Sequence, residues 1–228
     1  MSFQSELTRT GAVAWKDLTT ERRSKANFNA VVFLAALMLL MFGFALGPDT
    51  ATLRASAAGI LWLTVLFSGN LAFHRSYQVE LEGGALETLL LYPGARSSIF
   101  LGKMLANLVF VLLVEVILVP LAIILYDIPM TGTLPMVLVV LFLGTFGFVT
   151  LGTFYASMAS RSRAREVLLP LLLFPMLVPV LVAAVEGTAS LLAGDAMGDS
   201  GRWIQLLLAF DIIFLGASIL AFGAVIEE

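Results

Sequence analysis

RSYQVELEGGALETLLLYPGARSSIFLGK, residues 75–103, interrupts a chain otherwise built of lipid-compatible runs. It falls between the second and third of those runs and is polar first, amphipathic second. Glu80, Glu82 and the Gly83-Gly84 pair make a flexible acidic turn, and Gly84 can cap the helix that follows over residues 85–92. Glu87 complements the dipole of that helix, and Pro93 with Gly94 ends it. Leu86, Leu89, Leu90 and Pro93 recur at i, i+3, i+4 and i+7, so they share one face. A helix of about eight residues is marginal in water unless something holds it. It is expected to dock either on its own bundle at the membrane surface or in the groove of a soluble partner.

The rest of the chain explains where such a segment would sit. Of 228 residues, 60% are hydrophobic and 13% charged, and the mean hydropathy is +0.99. Soluble domains hold roughly 45–50% apolar residues. A helix needs about 20 mostly apolar residues to cross the hydrocarbon core, and only helices and closed barrels satisfy their backbones there. The runs are too long and continuous for barrel strands. Six spans are predicted, at residues 28–46, 55–73, 98–126, 135–158, 167–185 and 203–226, in one membrane domain covering residues 1–228. The third is longer than needed and is expected to tilt, kink or break at Pro120. The fifth carries Pro170, Pro175 and Pro179 and is expected to bend.

Positive charge sets the expected orientation. Arg9, Lys16, Arg22, Arg23, Lys25, Arg75, Arg96, Lys103, Arg161, Arg163 and Arg165 fall on one side, and only Arg54 and Arg202 on the other. Both termini are therefore expected in the cytoplasm, with short far-side loops at residues 47–54, 127–134 and 186–202. Residues 1–26 carry no apolar signal core and no small-residue cleavage site, and are expected in the mature protein. Leu7, Ala14, Trp15 and Leu18 recur at roughly helical spacing among basic neighbours, which suits an amphipathic helix lying in the membrane interface; a solvated tail is the alternative. In the fourth span Gly144, Gly147, Gly152, Ala156 and Ser160 form a strip of small residues that lets another helix approach, by internal packing in preference to a dimer seam.

Motifs of chemistry are missing from the sequence. There is no cysteine and a single histidine, so thiolate metal sites, catalytic triads and multi-histidine sites are not expected. Residues 94–103 end in Gly-Lys, but the glycine spacing is wrong for a phosphate-binding loop and Met104 stands where a magnesium-binding hydroxyl belongs. The chain is therefore read as no enzyme, and no metal or nucleic acid is expected on it. His74, at the end of the second span, is read as an interfacial anchor in preference to a haem ligand. Glu115 and Asp211 lie inside apolar spans, where a charge is costly and the default reading is functional. Either acid can instead bond a neighbouring hydroxyl, such as that of Thr145, Thr150 or Tyr155.

The stretch Glu82-Gly83-Gly84-Ala85-Leu86-Glu87-Thr88-Leu89-Leu90-Leu91-Tyr92-Pro93 resembles the segment after the second span in the CcmB family of cytochrome c maturation. Lys16-Asp17-Leu18 with Glu21-Arg22, and Leu168-Leu169-Pro170 through Leu173-Phe174-Pro175 to Val178-Pro179, agree with that family in the same order. The resemblance runs over nearly the whole chain. It implies an all-α membrane protein of the type-2 ABC exporter permease fold, with six transmembrane helices, an N-terminal interfacial amphipathic helix at residues 1–26 and a cytoplasmic coupling helix within residues 75–97. It further implies a homodimer in the bacterial inner membrane above a CcmA-like ATPase that binds ATP and magnesium. CcmC-, CcmD- and CcmE-like proteins would be partners, and haem the cargo or the load of the released chaperone. Glu82, Gly84, Leu86, Glu87, Leu89, Leu90, Tyr92 and Pro93 would then form the contact with the ATPase. Where the family often has Gly-Ser or Gly-Thr after an acid, this chain has Gly83-Gly84-Ala85; the missing hydroxyl cap weakens the helix start by about 1 kcal/mol at most. The tryptophan-rich motif and paired histidines of CcmC are absent from the sequence, so the resemblance assigns no haem ligand here. A type-2 permease for another cargo, such as a drug, lipid-linked sugar or copper-related system, and a non-transporting membrane scaffold are the alternatives.

Overall fold

Continuous apolar runs bounded by glycine, proline and charge produce helices and little else. A computed structural model describes residues 3–23, 25–82, 96–129, 132–159, 165–194 and 198–225. Among them are seven helices: α1 (Phe3–Arg23), α2 (Lys25–Leu46), α3 (Thr50–Glu82), α4 (Arg96–Leu125), α5 (Leu134–Ala159), α6 (Arg165–Leu192) and α7 (Asp199–Val225). All but α1 contain a stretch long and apolar enough to cross a membrane. The chain is thus an all-α, six-span membrane protein.

Helix α5 is the centre of the bundle, packing on α3, α4, α6 and α7. Of the six spans, those of α3 and α5 are the most enclosed, 67% and 61% buried, whereas those of α2 and α7 are 17% and 22% buried. The outward residues of the peripheral helices are large and apolar, among them Phe33, Phe44, Ile212 and Leu220. In lipid such side chains already have their preferred solvent, so their exposure is no defect.

Glycine lets the central helix approach its neighbours. A Cβ at Gly144 would lie 2.3 Å from the Trp62 ring, and one at Gly152 would lie 2.1 Å from the Phe73 ring, both on α3. A Cβ at Gly147 would lie 2.6 Å from Asp211 Oδ1 of α7. Conversely Gly69 of α3 receives the Phe148 ring of α5. The three described glycines of the small-residue strip serve internal packing, as expected, while Ser160 lies outside the described residues.

Polar bonds lock the seams. Asn107 Nδ2 donates to Thr153 Oγ1 at 3.0 Å, and Thr145 Oγ1 donates to Glu115 Oε1, joining α4 to α5. These partners advance by eight residues in opposite senses on the two helices, about 12 Å on each, as an antiparallel pair requires. Trp62 Nε1 donates to Thr188 Oγ1 at 3.0 Å between α3 and α6, and Tyr126 OH donates to the Leu39 carbonyl at 2.8 Å. On the far side Arg54 Nε donates to the Asp127 carbonyl at 2.6 Å, and its guanidinium pairs with the Asp127 carboxylate. Asp127 itself has φ 49°, a conformation that aspartate adopts more readily than most residues.

Three expectations are corrected. Glu80 and Glu82 lie in no turn: α3 continues past its apolar span to Glu82, because no glycine or proline intervenes before Gly83. The fifth span does not end near Val185. Helix α6 carries on through exposed Glu186 to Leu192, because Thr188 and Leu191 are buried against α3 and α5 and reward another turn. Arg54 is likewise inside a helix. At Pro120 helix α4 is unbroken.

The start of α3 shows a cap with a pH signature. The Asp49 carboxylate accepts from Thr52 N at 3.1 Å, Ala51 N at 3.4 Å and the Thr52 hydroxyl. The Thr52 hydroxyl first, then the Thr52 and Ala51 amides, hold this carboxyl below the usual carboxylate range. A group lowered in the fold contributes stability above its unfolded value, near about pH 4, and that stability is lost as pH falls through the folded value. Acidification below that range is therefore expected to speed amide exchange at Ala51 and Thr52 relative to their intrinsic rates. Asp49→Ala should do the same at neutral pH.

Candidate functional site

The segment read as the partner contact falls outside the described residues. Gly84, Leu86, Glu87, Leu89, Leu90, Tyr92 and Pro93 all belong to that gap, and Glu82 ends α3. The His74 backbone is helical, in α3. What the structure does describe is the packing of α1 on α4 around Gly102 and Lys103.

On the basic side α1 crosses the beginning of α4. The crossing is close because Gly102 has no side chain: a Cβ there would lie 2.7 Å from Val13 Cβ and 2.8 Å from the Thr10 carbonyl. Val13 and Ala14 are buried, while Leu7 and Trp15, expected on the same face, remain exposed. The apolar stripe of α1 is therefore divided between α4 and the outside. Next to Gly102, Lys103 is 1% exposed and donates to Asp17 Oδ2 at 3.3 Å; Lys16 reaches the other oxygen at 3.2 Å. A buried ammonium without a carboxylate is costly, so this pair fixes the rotation of α1 on α4. Beside it a cavity of about 30 Å³ is lined by polar Asp17, Glu21, Asn27 and Asn107 and by apolar Leu18, Ala72, Ala106 and Phe110. Asn27 Nδ2 donates to Glu21 Oε1 at 2.5 Å across its rim. Helix α1, Asn27 near the start of α2, Ala72 of α3 and Asn107 of α4 thus meet at one junction.

The two intramembrane acids diverge. Glu115, 4% exposed, accepts from Thr145, one of the hydroxyls foreseen for it. Thr150 bonds the Phe146 carbonyl and the Met104 sulfur instead. Asp211 is 5% exposed, and neither of its oxygens has a hydrogen-bond partner among the described residues. No group of three His, Asp or Glu side chains among the described residues is placed to hold a metal ion.

Sequence reasoning missed Lys103 as a structural residue, counting it only as loop charge. The signal was its position, several residues inside a predicted span, where a lysine needs a partner. Asn107 carried the same signal.

Six apolar helices packed through glycine, with a polar junction on the basic side, define a multi-span helical membrane protein. The family model described as CcmB protein matches residues 8–228, and the chain belongs to the CcmB family. It is similar to "Heme exporter protein B" of Pseudomonas aeruginosa, 28% identical over 188 residues, covering 82% of this chain and 83% of that one. The corresponding protein of Rhodobacter capsulatus is 30% identical over 175 residues, covering 77% and 80%. That of Haemophilus influenzae is 29% identical over 169 residues.

Proposed function

We infer that this chain is the membrane permease subunit of an ATP-driven complex of cytochrome c biogenesis, which couples ATP hydrolysis by a partner ATPase to haem export or to release of a haem-loaded chaperone. The observation that carries this reading is the family relationship over residues 8–228, with relatives named as haem exporters. The excess of lysine and arginine on one side supports cytoplasmic termini in a bacterial inner membrane, with α1 along the cytoplasmic surface. Two copies of the chain would stand above two copies of a CcmA-like ATPase, with CcmC-, CcmD- and CcmE-like partners alongside. The chain itself catalyses nothing.

The coupling is mechanical. Leu86, Leu89 and Leu90 seat in an apolar groove of the ATPase, Glu87 meets a basic group at its rim, and Pro93 stiffens the link to α4. Two features support a stiff linkage. Helix α3 projects beyond its apolar span to Glu82, and the Lys103–Asp17 pair lies about two turns into α4, which begins at Arg96.

The test is complementation of a strain lacking its own CcmB protein, reading covalent haem in a periplasmic c-type cytochrome by in-gel peroxidase stain. Expressed with its cognate ATPase, the chain is expected to restore staining. Glu87→Lys is expected to abolish it and to reduce copurification of the ATPase while membrane insertion persists. A stable complex with the ATPase and no staining would redirect the assignment to another exported cargo.

A further inference from the structure

Asp211 sits at the middle of its span. Ser200–Phe222 of α7 crosses the bilayer, which puts the residue about 16 Å from either end at 1.5 Å per residue, near the centre of a core about 30 Å thick. It lies on the buried stripe of α7, with Leu207, Phe210 and Ser218. Its carboxyl group fits against α5 where Gly147 leaves room, beside Val180 of α6.

Among the described residues nothing charged faces it. Between Leu134 and Phe154 of α5, and between Leu171 and Val185 of α6, the sequence holds no Asp, Glu, His, Lys or Arg. Helix α4 meets α7 where Phe100 packs on Phe222, with ring centroids 5.3 Å apart. The ionisable groups of its described span are Lys103, held by Asp17, and Glu115, held by Thr145. Thr145 is two residues from Gly147 and so projects from nearly the opposite face of α5, which turns Glu115 away from Asp211. On α7 itself Arg202 lies at the far-side end and is exposed.

A carboxylate in such a place lacks the pairing that a buried charge needs. A hard cation such as calcium takes about six to eight oxygen ligands, and this niche supplies the two oxygens of one side chain, the backbone around it being engaged in helices. The ligand that fits is a proton.

We propose that Asp211 is a membrane-embedded proton-binding site that couples protonation to the packing of α7 on α5 at Gly147. With the proton bound, the neutral acid is compatible with the dry seam. Ionisation requires water, which reaches the carboxylate only when α7 parts from α5. Rising pH therefore favours the parted seam. The proposal rests on the fold alone and holds whatever the cargo.

The direct test is 13C NMR of the full chain, labelled at the aspartate carboxyl carbons, in lipid nanodiscs at neutral pH. The resonance that disappears in Asp211→Asn is expected at the position of a neutral carboxylic acid. A carboxylate position would overturn the proposal and indicate an ion pair with a group from another chain. If the variant fails to fold, persistence of one neutral carboxyl among the aspartates of the unmodified chain decides the same point.

The second test exploits the absence of cysteine from the sequence. Ser218→Cys, two turns from Asp211 on the same stripe, reports opening of the seam through maleimide labelling. Its rate in the otherwise unchanged chain, divided by its rate in Asp211→Asn, is expected to rise roughly tenfold as the acid ionises, the change equivalent to about 1.4 kcal/mol. A ratio independent of pH would remove the coupling.

Discussion

Gly152→Leu is expected to abolish accumulation of the folded chain. A Cβ at this position would already lie 2.1 Å from Phe73 Cε2 and 2.6 Å from Cδ2. The Phe73 ring has nowhere to retreat: it is fully buried and packs on Phe148 with centroids 5.0 Å apart. Phe148 in turn fills the space over Gly69. Inserting atoms into such a seam costs about 3 kcal/mol or more, roughly a hundredfold in the folding equilibrium. Gly152→Ala should show a smaller loss. Gly216→Leu is the control, because a Cβ there meets nothing within 4 Å, and it should stay within about 0.5 kcal/mol. The monodisperse fraction and melting temperature of the three purified variants distinguish these outcomes. A well-folded Gly152→Leu protein would show that α3 and α5 do not pack through these rings.

The second large effect is expected at Asp17→Ala. The change strips a carboxylate from Lys103, whose side chain is 1% exposed, and breaking a buried pair by removing one partner costs about 3–5 kcal/mol. The damage should be local, because Asp17 belongs to α1 and the six spans pack through other contacts. Limited proteolysis is therefore expected to cut α1 in the variant while leaving the remainder intact. Adding Lys103→Met should restore much of the protection, since an apolar side chain of similar length needs no partner. If the double variant is as sensitive as Asp17→Ala, the ion pair is not what holds α1 on α4. Under the proposed function the single variant should also weaken haem staining, because α4 would no longer be braced next to the coupling segment.

The six spans were legible because the bilayer imposes a length and a composition that a sequence displays directly. The ends were less so. Glu186 read as the close of the fifth span, but a carboxylate that faces outward does not stop a helix whose next turn buries Thr188 and Leu191. Glu80 and Glu82 read as a turn because acids and glycines often adjoin one, but acids alone do not stop a helix. Of the candidate site, the intramembrane acids stood out in one dimension, while residues 85–92 lie outside the described residues. The Thr145 bond to Glu115 was among the options named. The solitude of Asp211 was not foreseeable, because a side chain's lack of partners depends on everything packed around it.

The sequence by itself determined that the chain is helical, that it crosses the membrane six times and which family it resembles. These follow from local hydrophobicity, proline and glycine placement and motif order, all of which act along the chain. Only the tertiary structure decided that the glycines of α5 receive Trp62, Phe73 and Asp211, that Lys103 holds Asp17, and that among the described residues Glu115 has a hydrogen-bond partner and Asp211 has none. Those facts depend on which helix faces which. In lipid that choice is made by close packing and buried polar pairing, because apolar surface alone scarcely discriminates between a helix and a lipid tail.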